Sequence, residues 1–266
     1  MRWTTVNRVR APVLTLVVTA HHTRYLAEAM TSVAAQTCTA FDLVCCADTT
    51  GAPGVVEICR ALLPYIRCRQ ARLVEVAGGS AGRVRNAGFA AARTHWVAYL
   101  DGDDLLHPNS LTRLLQAITR RDADIISTGM NRIRADGEPE PWPESLTYRP
   151  PRWIYHTDPD TVGHPTFFNQ LLAIRRELWA AHPFDETTNG EDIDFMLHQL
   201  LAGRFRKLPE ALYGYRDTPD SFSKKEFPHG DICTSRYREG YYARLFAQRY
   251  RPELAGNFTD ATEPNR

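Results

Sequence analysis

Short apolar runs alternate with helical apolar faces through the first half of the chain, and this alternation limits the fold more than any other feature. Val13 to Val18 suits a strand buried on both faces, and Tyr25, Leu26, Ala29, Met30 and Val33 then mark one helical face. Phe41 to Ala47 repeats the strand signal, and Pro53 can open a helix whose apolar side is Val55, Val56, Cys59, Leu62 and Leu63. Leu73 to Val76 predicts a third strand. Ser80 can cap a helix with Val84, Ala87, Gly88 and Ala91 facing inward, and Trp96 to Leu100 follows as a fourth strand. After Pro108, Leu111, Leu114, Leu115 and Ile118 recur at helical spacing. The pattern predicts an α/β fold with a mainly parallel central sheet flanked by helices on both faces. Such sheets bind ligands at the carboxyl ends of their strands.

The acidic residues fall at those ends. Asp48 follows the second strand, and Asp101, Asp103 and Asp104 follow the fourth. Three carboxylates on one short turn repel one another unless a cation intervenes, and they supply the hard oxygen ligands that Mg²⁺ or Mn²⁺ takes. The bland alternative is a turn built from residues that favour turns. Glu191 and Asp192, with Asp194 two positions on, open a later helix; they serve there either as helix-terminus stabilisers or as a general base. The stretch Gly78-Gly79-Ser80-Ala81-Gly82 with Arg83 and Arg85 is either a structural connection or a phosphate-facing loop. His21 and His22 end the first strand, where they are surface residues or partners for a base.

Beyond about Met130 the periodicity fades. Asp136 to Pro165 holds seven prolines and reads as a long loop region covering the site. Order returns at Phe167 to Leu178 and in a helix from Glu191 to Ala202 that stops at Gly203. Ser235 to Tyr250 predicts a last helix and Glu253 onward a frayed tail. The organisation expected is an extension over 1–11, an α/β half over 12–130, a loop-rich half of the same domain over 131–234, and a helix and tail over 235–266.

A hydrophobic share of 43% in 266 residues supports an ordinary core, and a net charge of +1 supplies no field to gather nucleic acid. The six cysteines lack metal-finger spacing, and Cys45 and Cys46 sit in an apolar run where buried thiols fit, so a reducing cytoplasm is the expected setting. The apolar run after the three N-terminal arginines is too short for a signal-peptide core or a transmembrane span. A peripheral membrane contact through the Arg- and Tyr-rich stretch near Arg236 to Phe246 stays open, as does a homodimer through the same helix.

Five ordered segments resemble the family 2 glycosyltransferases of the GT-A fold. They are LTLVVTAHHTRYLAEAMTSVAAQT, FDLVCCADTT, GRVRNAGFAAA, WVAYLDGDD, and the run FDETTNGEDIDFMLHQLLAGRFRKLPEALYGYRDTPDSFS. The likeness covers about Val13 to Ser223. It implies that Thr19, His21 and Asp48 line a nucleotide base pocket and that Arg85 lies near the donor. It further implies that Asp103 approaches the ribose, that Asp104 with Asp101 ligates Mn²⁺ or Mg²⁺, and that Asp192 is the leading base with Glu191 second.

The implied reaction is an inverting, metal-dependent transfer from a nucleotide diphosphate sugar, with UDP the first choice, to an acceptor hydroxyl. The acceptor reads equally as a polysaccharide, a lipid-linked glycan, a protein or a small molecule. His21-His22, Ala47 and Thr49-Thr50 depart from the family's usual residues, and these departures cluster at the base and ribose pocket. The alternative function is a catalytically silent module that binds or assembles nucleotide sugars on the same fold.

Overall fold

The computed structural model describes residues 14–134, 137–141, 172–187 and 191–216. In chain order they form β1 (Leu14–Ala20), α1 (Leu26–Ala34), β2 (Phe41–Asp48), α2 (Val55–Leu62) with a 3-10 turn (Leu63–Tyr65), β3 (Gln70–Val76) and α3 (Ala81–Ala91). There follow β4 (Trp96–Asp101), β5 (Leu105–Leu106), α4 (Ser110–Thr119), β6 (Ile125–Ile133), β7 (Pro139–Pro141), β8 (Leu172–Arg175), α5 (Arg176–Ala181), α6 (Glu191–Ala202) and β9 (Phe205–Arg216). The strands make one nine-stranded sheet in the order β3-β2-β1-β4-β8-β6-β9-β5, with β7 paired to β6.

The expected parallel sheet is the half β3-β2-β1-β4. The other half is mixed: β8 runs antiparallel to β4 and β6, while β9 runs parallel to β6 and antiparallel to β5. The first four strands, the three helices threaded between them, α4 and the helix over Glu191–Ala202 all fall within a few residues of the sequence expectation. β6 and β9 were not anticipated. Pro209 and Gly214 interrupt the strand signal of β9, and its register with β6 shifts around Ser127 and Gly129. The helix expected over Ser235 to Tyr250 and most of the proline-rich stretch lie outside the described residues.

Alternate side chains of each parallel strand enter two cores, one per face. Leu14, Leu16 and Val18 pack with α1, α2 and α4. Val17, Val44, Val97 and Tyr99 pack with Val84 and Phe89 of α3 and with Phe195 and Met196 of α6. Cys45, Cys46 and Cys59 are buried free thiols, as their apolar surroundings lead one to expect.

Gly88 sets the depth of α3 on the sheet. A Cβ there would come 2.3 Å from Val17 Cγ1 and 3.1 Å from Cys46 Sγ, so the helix lies against β1 and β2 at a distance only glycine allows. Alanine would gain about 1 kcal/mol of helix propensity, but overpacking of this kind costs roughly 1–3 kcal/mol, and neither contact lies at the end of a flexible side chain. Gly88→Ala is therefore expected to lower stability in urea unfolding.

In the second half, Asp124 gathers β6, β8 and the turn after α6. It accepts from Arg175 Nε at 2.9 Å, and from the Arg204 amide and Nε at 3.1 and 2.9 Å. The Arg204 side chain, opposed by partial burial and aided by the Arg204 amide and Arg175, holds the carboxyl down at about 2. A depressed carboxyl stabilises the fold above its ordinary range near 4 and loses that contribution as pH falls through about 2. Asp124→Asn should lower Tm at pH 7 by a few degrees, roughly 2–6 °C, and thermal melts of variant and parent should converge towards pH 2.

Candidate active site

The carboxyl ends of β1, β2 and β4 converge on one surface, because these strands are parallel neighbours: Thr19 pairs in register with both Asp101 and Cys46. Thr19 Oγ1 donates to Asp101 Oδ1 at 2.8 Å. The acidic turn then folds back tightly, with the Asp104 amide donating to the Asp101 carbonyl at 3.1 Å. Gly102 allows the turn to press on β1, since a Cβ there would meet the Thr19 carbonyl at 2.5 Å.

The three aspartates of the turn occupy different surroundings. Asp104 is 2% exposed, accepting from the Tyr213 hydroxyl at 2.6 Å and from the Arg216 amide at 2.7 Å, one bond on each oxygen. Burial, then the nearby Asp103 and Asp101, push its carboxyl well above the usual range. Arg216 adds a bond from Nε to the Asp103 carbonyl at 2.9 Å and one from Nη2 to Glu28 at 2.6 Å, with its guanidinium 4.0 Å from the centre of the Tyr25 ring. The end of β9 thus anchors the turn from behind. Asp101 is taken from the side, by Thr19 and by two bonds from Arg85 Nη2 at 3.1 and 2.9 Å.

The Asp103 carboxylate has no side-chain partner among the described residues, and burial followed by the Asp101 charge raises it to about 6. The residues suit Mg²⁺ or Mn²⁺, which use one or two protein carboxylates and fill the remaining positions with water and substrate phosphate. No group of three or more metal-ligating side chains occurs among the described residues. Asp104, expected from the resemblance as the leading metal ligand, is engaged and buried.

Arg85 lies beneath the turn. Its side chain is 7% exposed and bridges Asp101 to Glu191, the first residue of α6. Burial opposes its charge, but Asp101 and Glu191 outweigh that cost and raise its pKa further. The guanidinium also lies 5.0 Å from the Tyr99 ring centre. Burial drives Glu191 upward, Arg85 counters it, and neighbouring Asp192 adds to the rise. Of the two candidate bases, Glu191 is thus committed to Arg85, and Asp192 stands next to that pair.

Asp48 forms the third part. Its Oδ1 accepts from the Thr50 amide at 2.9 Å, the Thr50 hydroxyl at 2.7 Å and the Gly78 amide at 2.9 Å, while Oδ2 meets His21 Nδ1 at 2.7 Å. Burial would raise the carboxyl, yet these donors together hold it at about 2. The glycine-rich loop therefore acts here through one amide on Asp48, and Gly78 has to be glycine: a Cβ would come 2.5 Å from Asp48 Oδ2. An ionised Asp48 favours the proton on His21 Nδ1, and the ring is half exposed. His21 and Asp48 come together. Thr19 on β1, two residues before His21, instead bonds Asp101 at the end of β4.

The sequence pattern described as "Glycosyl transferase family 2" matches residues 15–178. The chain belongs to glycosyl transferase family 2. Among curated relatives, this family 2 chain is 29% identical over 189 residues to "Uncharacterized glycosyltransferase EpsJ" of Bacillus subtilis (strain 168), covering 65% of this chain and 52% of that protein. It is 32% identical over 133 residues to "Succinoglycan biosynthesis protein ExoO" of Rhizobium meliloti (strain 1021), covering 48% of this chain and 36% of the relative. It spans about half or less of the length of these two relatives. The crystal structure of S. aureus TarS 1-349 in complex with UDP-GlcNAc shares the fold, with a TM-score of 0.67 at 16% identity over 94% of this chain and 72% of that one. The GT-A fold expected from the sequence is the fold observed.

Tyr213, Asn86 and Thr50 also shape the site: Asn86 lies in the GRVRNAGFAAA segment that carries the family likeness and Thr50 among the departures from it, but no local signal gives their partners. Tyr213 lies in a strand broken by proline and glycine, and the partners of Asn86 lie nearly 100 residues away. The contrast between neighbours in the turn is testable by mutation. Asp104→Ala leaves the buried Tyr213 hydroxyl and Arg216 amide unsatisfied and should cost about 2–4 kcal/mol, whereas Asp103→Ala should leave the urea midpoint close to that of the parent.

Proposed function

We propose that the chain is a metal-dependent inverting glycosyltransferase that takes a sugar from a nucleotide diphosphate donor, with UDP as the nucleotide. The observation carrying this reading is the placement of Asp103, whose carboxylate has no side-chain hydrogen bond among the described residues, just past the carboxyl end of β4 and near the Asp101–Arg85–Glu191 array. The solved TarS structure holds UDP-GlcNAc on the same fold, which supports a UDP-sugar donor here.

Mg²⁺ or Mn²⁺ bound at Asp103 would supply charge neutralisation for a departing diphosphate. Thr19 and Arg85 hold Asp101 in place, so that Asp101 supports the turn and is available to the donor's ribose or to the cation. His21, anchored through Nδ1 to Asp48, borders the base, and Asp48 acts mainly by fixing that ring. Asp192 takes the proton from the acceptor hydroxyl as it attacks the anomeric carbon, on the side opposite the leaving nucleotide. Glu191, neutralised by Arg85, holds the start of α6. ExoO and EpsJ, named for succinoglycan biosynthesis and glycosyl transfer, favour a growing glycan as acceptor, soluble or lipid-linked.

Calorimetry with UDP, GDP, dTDP and CDP, each with and without Mn²⁺, tests the donor site. UDP should bind in a Mn²⁺-dependent manner, and Asp103→Ala should weaken that binding at least tenfold. If no nucleotide binds under any metal condition, the transferase reading fails. Asp192→Asn should keep the UDP affinity of the parent while slowing sugar transfer, or hydrolysis of the UDP-sugar, by about 10²–10⁴-fold. Unchanged turnover would remove Asp192 as the base.

A further inference from the structure

Asn86 stands next to Arg85 on α3 but faces a different set of partners. Its Oδ1 accepts from Trp179 Nε1 and from the Phe184 amide, each at 3.0 Å. Its Nδ2 donates to the Phe184 carbonyl at 2.9 Å and to Glu186 Oε1 at 3.0 Å. One carboxamide therefore uses both its acceptor and its donor group on the segment leading from α5 to α6, and takes both backbone groups of Phe184. Four bonds of this kind define position and orientation together, which one bond would not.

The held segment is in turn tied to the base helix. The Phe184 ring stacks on Phe195 of α6, with centres 3.8 Å apart and planes 19° from parallel. Phe195 lies four residues after Glu191, one helical turn along, and is fully buried. The segment also lies flush on the start of α3, where a Cβ on Gly82 would meet the Asp185 carbonyl at 2.0 Å. Arg85 completes the link from the other end through Glu191.

We infer that Asn86 is a positioning residue: with Arg85 it clamps the Phe184 segment and the first turn of α6 to α3, and so sets Asp192 against the donor-side carboxylates. The inference rests on the proposed role of Asp192. The physical need is plain, because the base and the donor-side turn lie about 90 residues apart in sequence and on different elements. α3 is the element that reaches both, through adjacent residues. A shift of the base by about 1 Å costs on the order of 10²-fold in rate without removing any group that touches the donor.

The test combines hydrogen exchange with kinetics on Asn86→Ala and Asn86→Asp. The aspartate keeps the acceptor for Trp179 and Phe184 but loses both donor bonds and sets a negative charge against Glu186. Both variants should exchange backbone amides faster, by tenfold or more, in peptides covering Phe184–Thr187 and Glu191–Gln199, while β1, β2 and β4 keep parental protection. With Mn²⁺, UDP affinity should stay within about twofold of the parent while turnover of a UDP-sugar falls at least tenfold. If Asn86→Ala fails to fold, Asn86→Asp carries the comparison.

Unchanged exchange in both peptides would overturn the inference whatever the activity. So would a loss of UDP affinity equal to the loss of turnover, since that marks a general fold defect. A parent protein that binds no UDP would instead sink the donor reading, and the exchange result would still decide whether Asn86 holds the segment.

Discussion

A single buried guanidinium, Arg85, stands between the carboxylates of Asp101 and Glu191, and the site is organised around it. Asp101, Asp103, Asp104, Glu191 and Asp192 concentrate negative charge in one region, partly out of water, where like charges repel strongly. Arg85 among them, with the buried Arg216 guanidinium beside Asp103, offsets part of that repulsion, and Arg85 takes up Asp101 and Glu191. Asp101 and Glu191 are paired with Arg85, Asp104 is held by Tyr213 and the Arg216 amide, and Asp103 has no side-chain hydrogen bond among the described residues. A charged pair buried in this way adds little to stability by itself, but losing one partner leaves an uncompensated charge. Its value lies in arrangement.

The helix carrying Arg85 can do this because of where it lies. Gly88 lets α3 settle onto β1 and β2, which brings the guanidinium under the end of β4. The parallel half of the sheet places Thr19, Asp48 and Asp101 at one edge, as strands of the same direction must. The mixed half contributes from behind: β9 returns along β6 and delivers Tyr213 and Arg216 to the back of the acidic turn. Two halves of different topology thereby shape one turn from opposite sides.

Glycines that resemble a phosphate loop in sequence have a different use here. Gly78 brings its amide to Asp48 and leaves no room for a side chain, so the loop orders a carboxylate, and through it the His21 ring. Both oxygens of Asp48 accept hydrogen bonds within the protein, and so do both oxygens of Asp104. In both cases burial and hydrogen bonding, which no motif encodes, separate the residue that holds from the residue that is held.

The sequence by itself determined the parallel half-sheet, its helices, the helix over Glu191–Ala202 and the placing of acidic residues at strand ends, because those follow from local periodicity and from the rule that parallel strands present one edge to ligands. It also carried five ordered segments sufficient to indicate family 2. Only the tertiary structure decided which aspartate is available. Asp101, Asp103 and Asp104 are chemically equivalent on the chain, and they become different only when Arg85, Tyr213 and Arg216 arrive from positions 16 to more than 100 residues away. The strands β6 and β9 were equally beyond local reading, since a proline, two glycines and a register shift hide their alternation and only pairing with each other makes them strands.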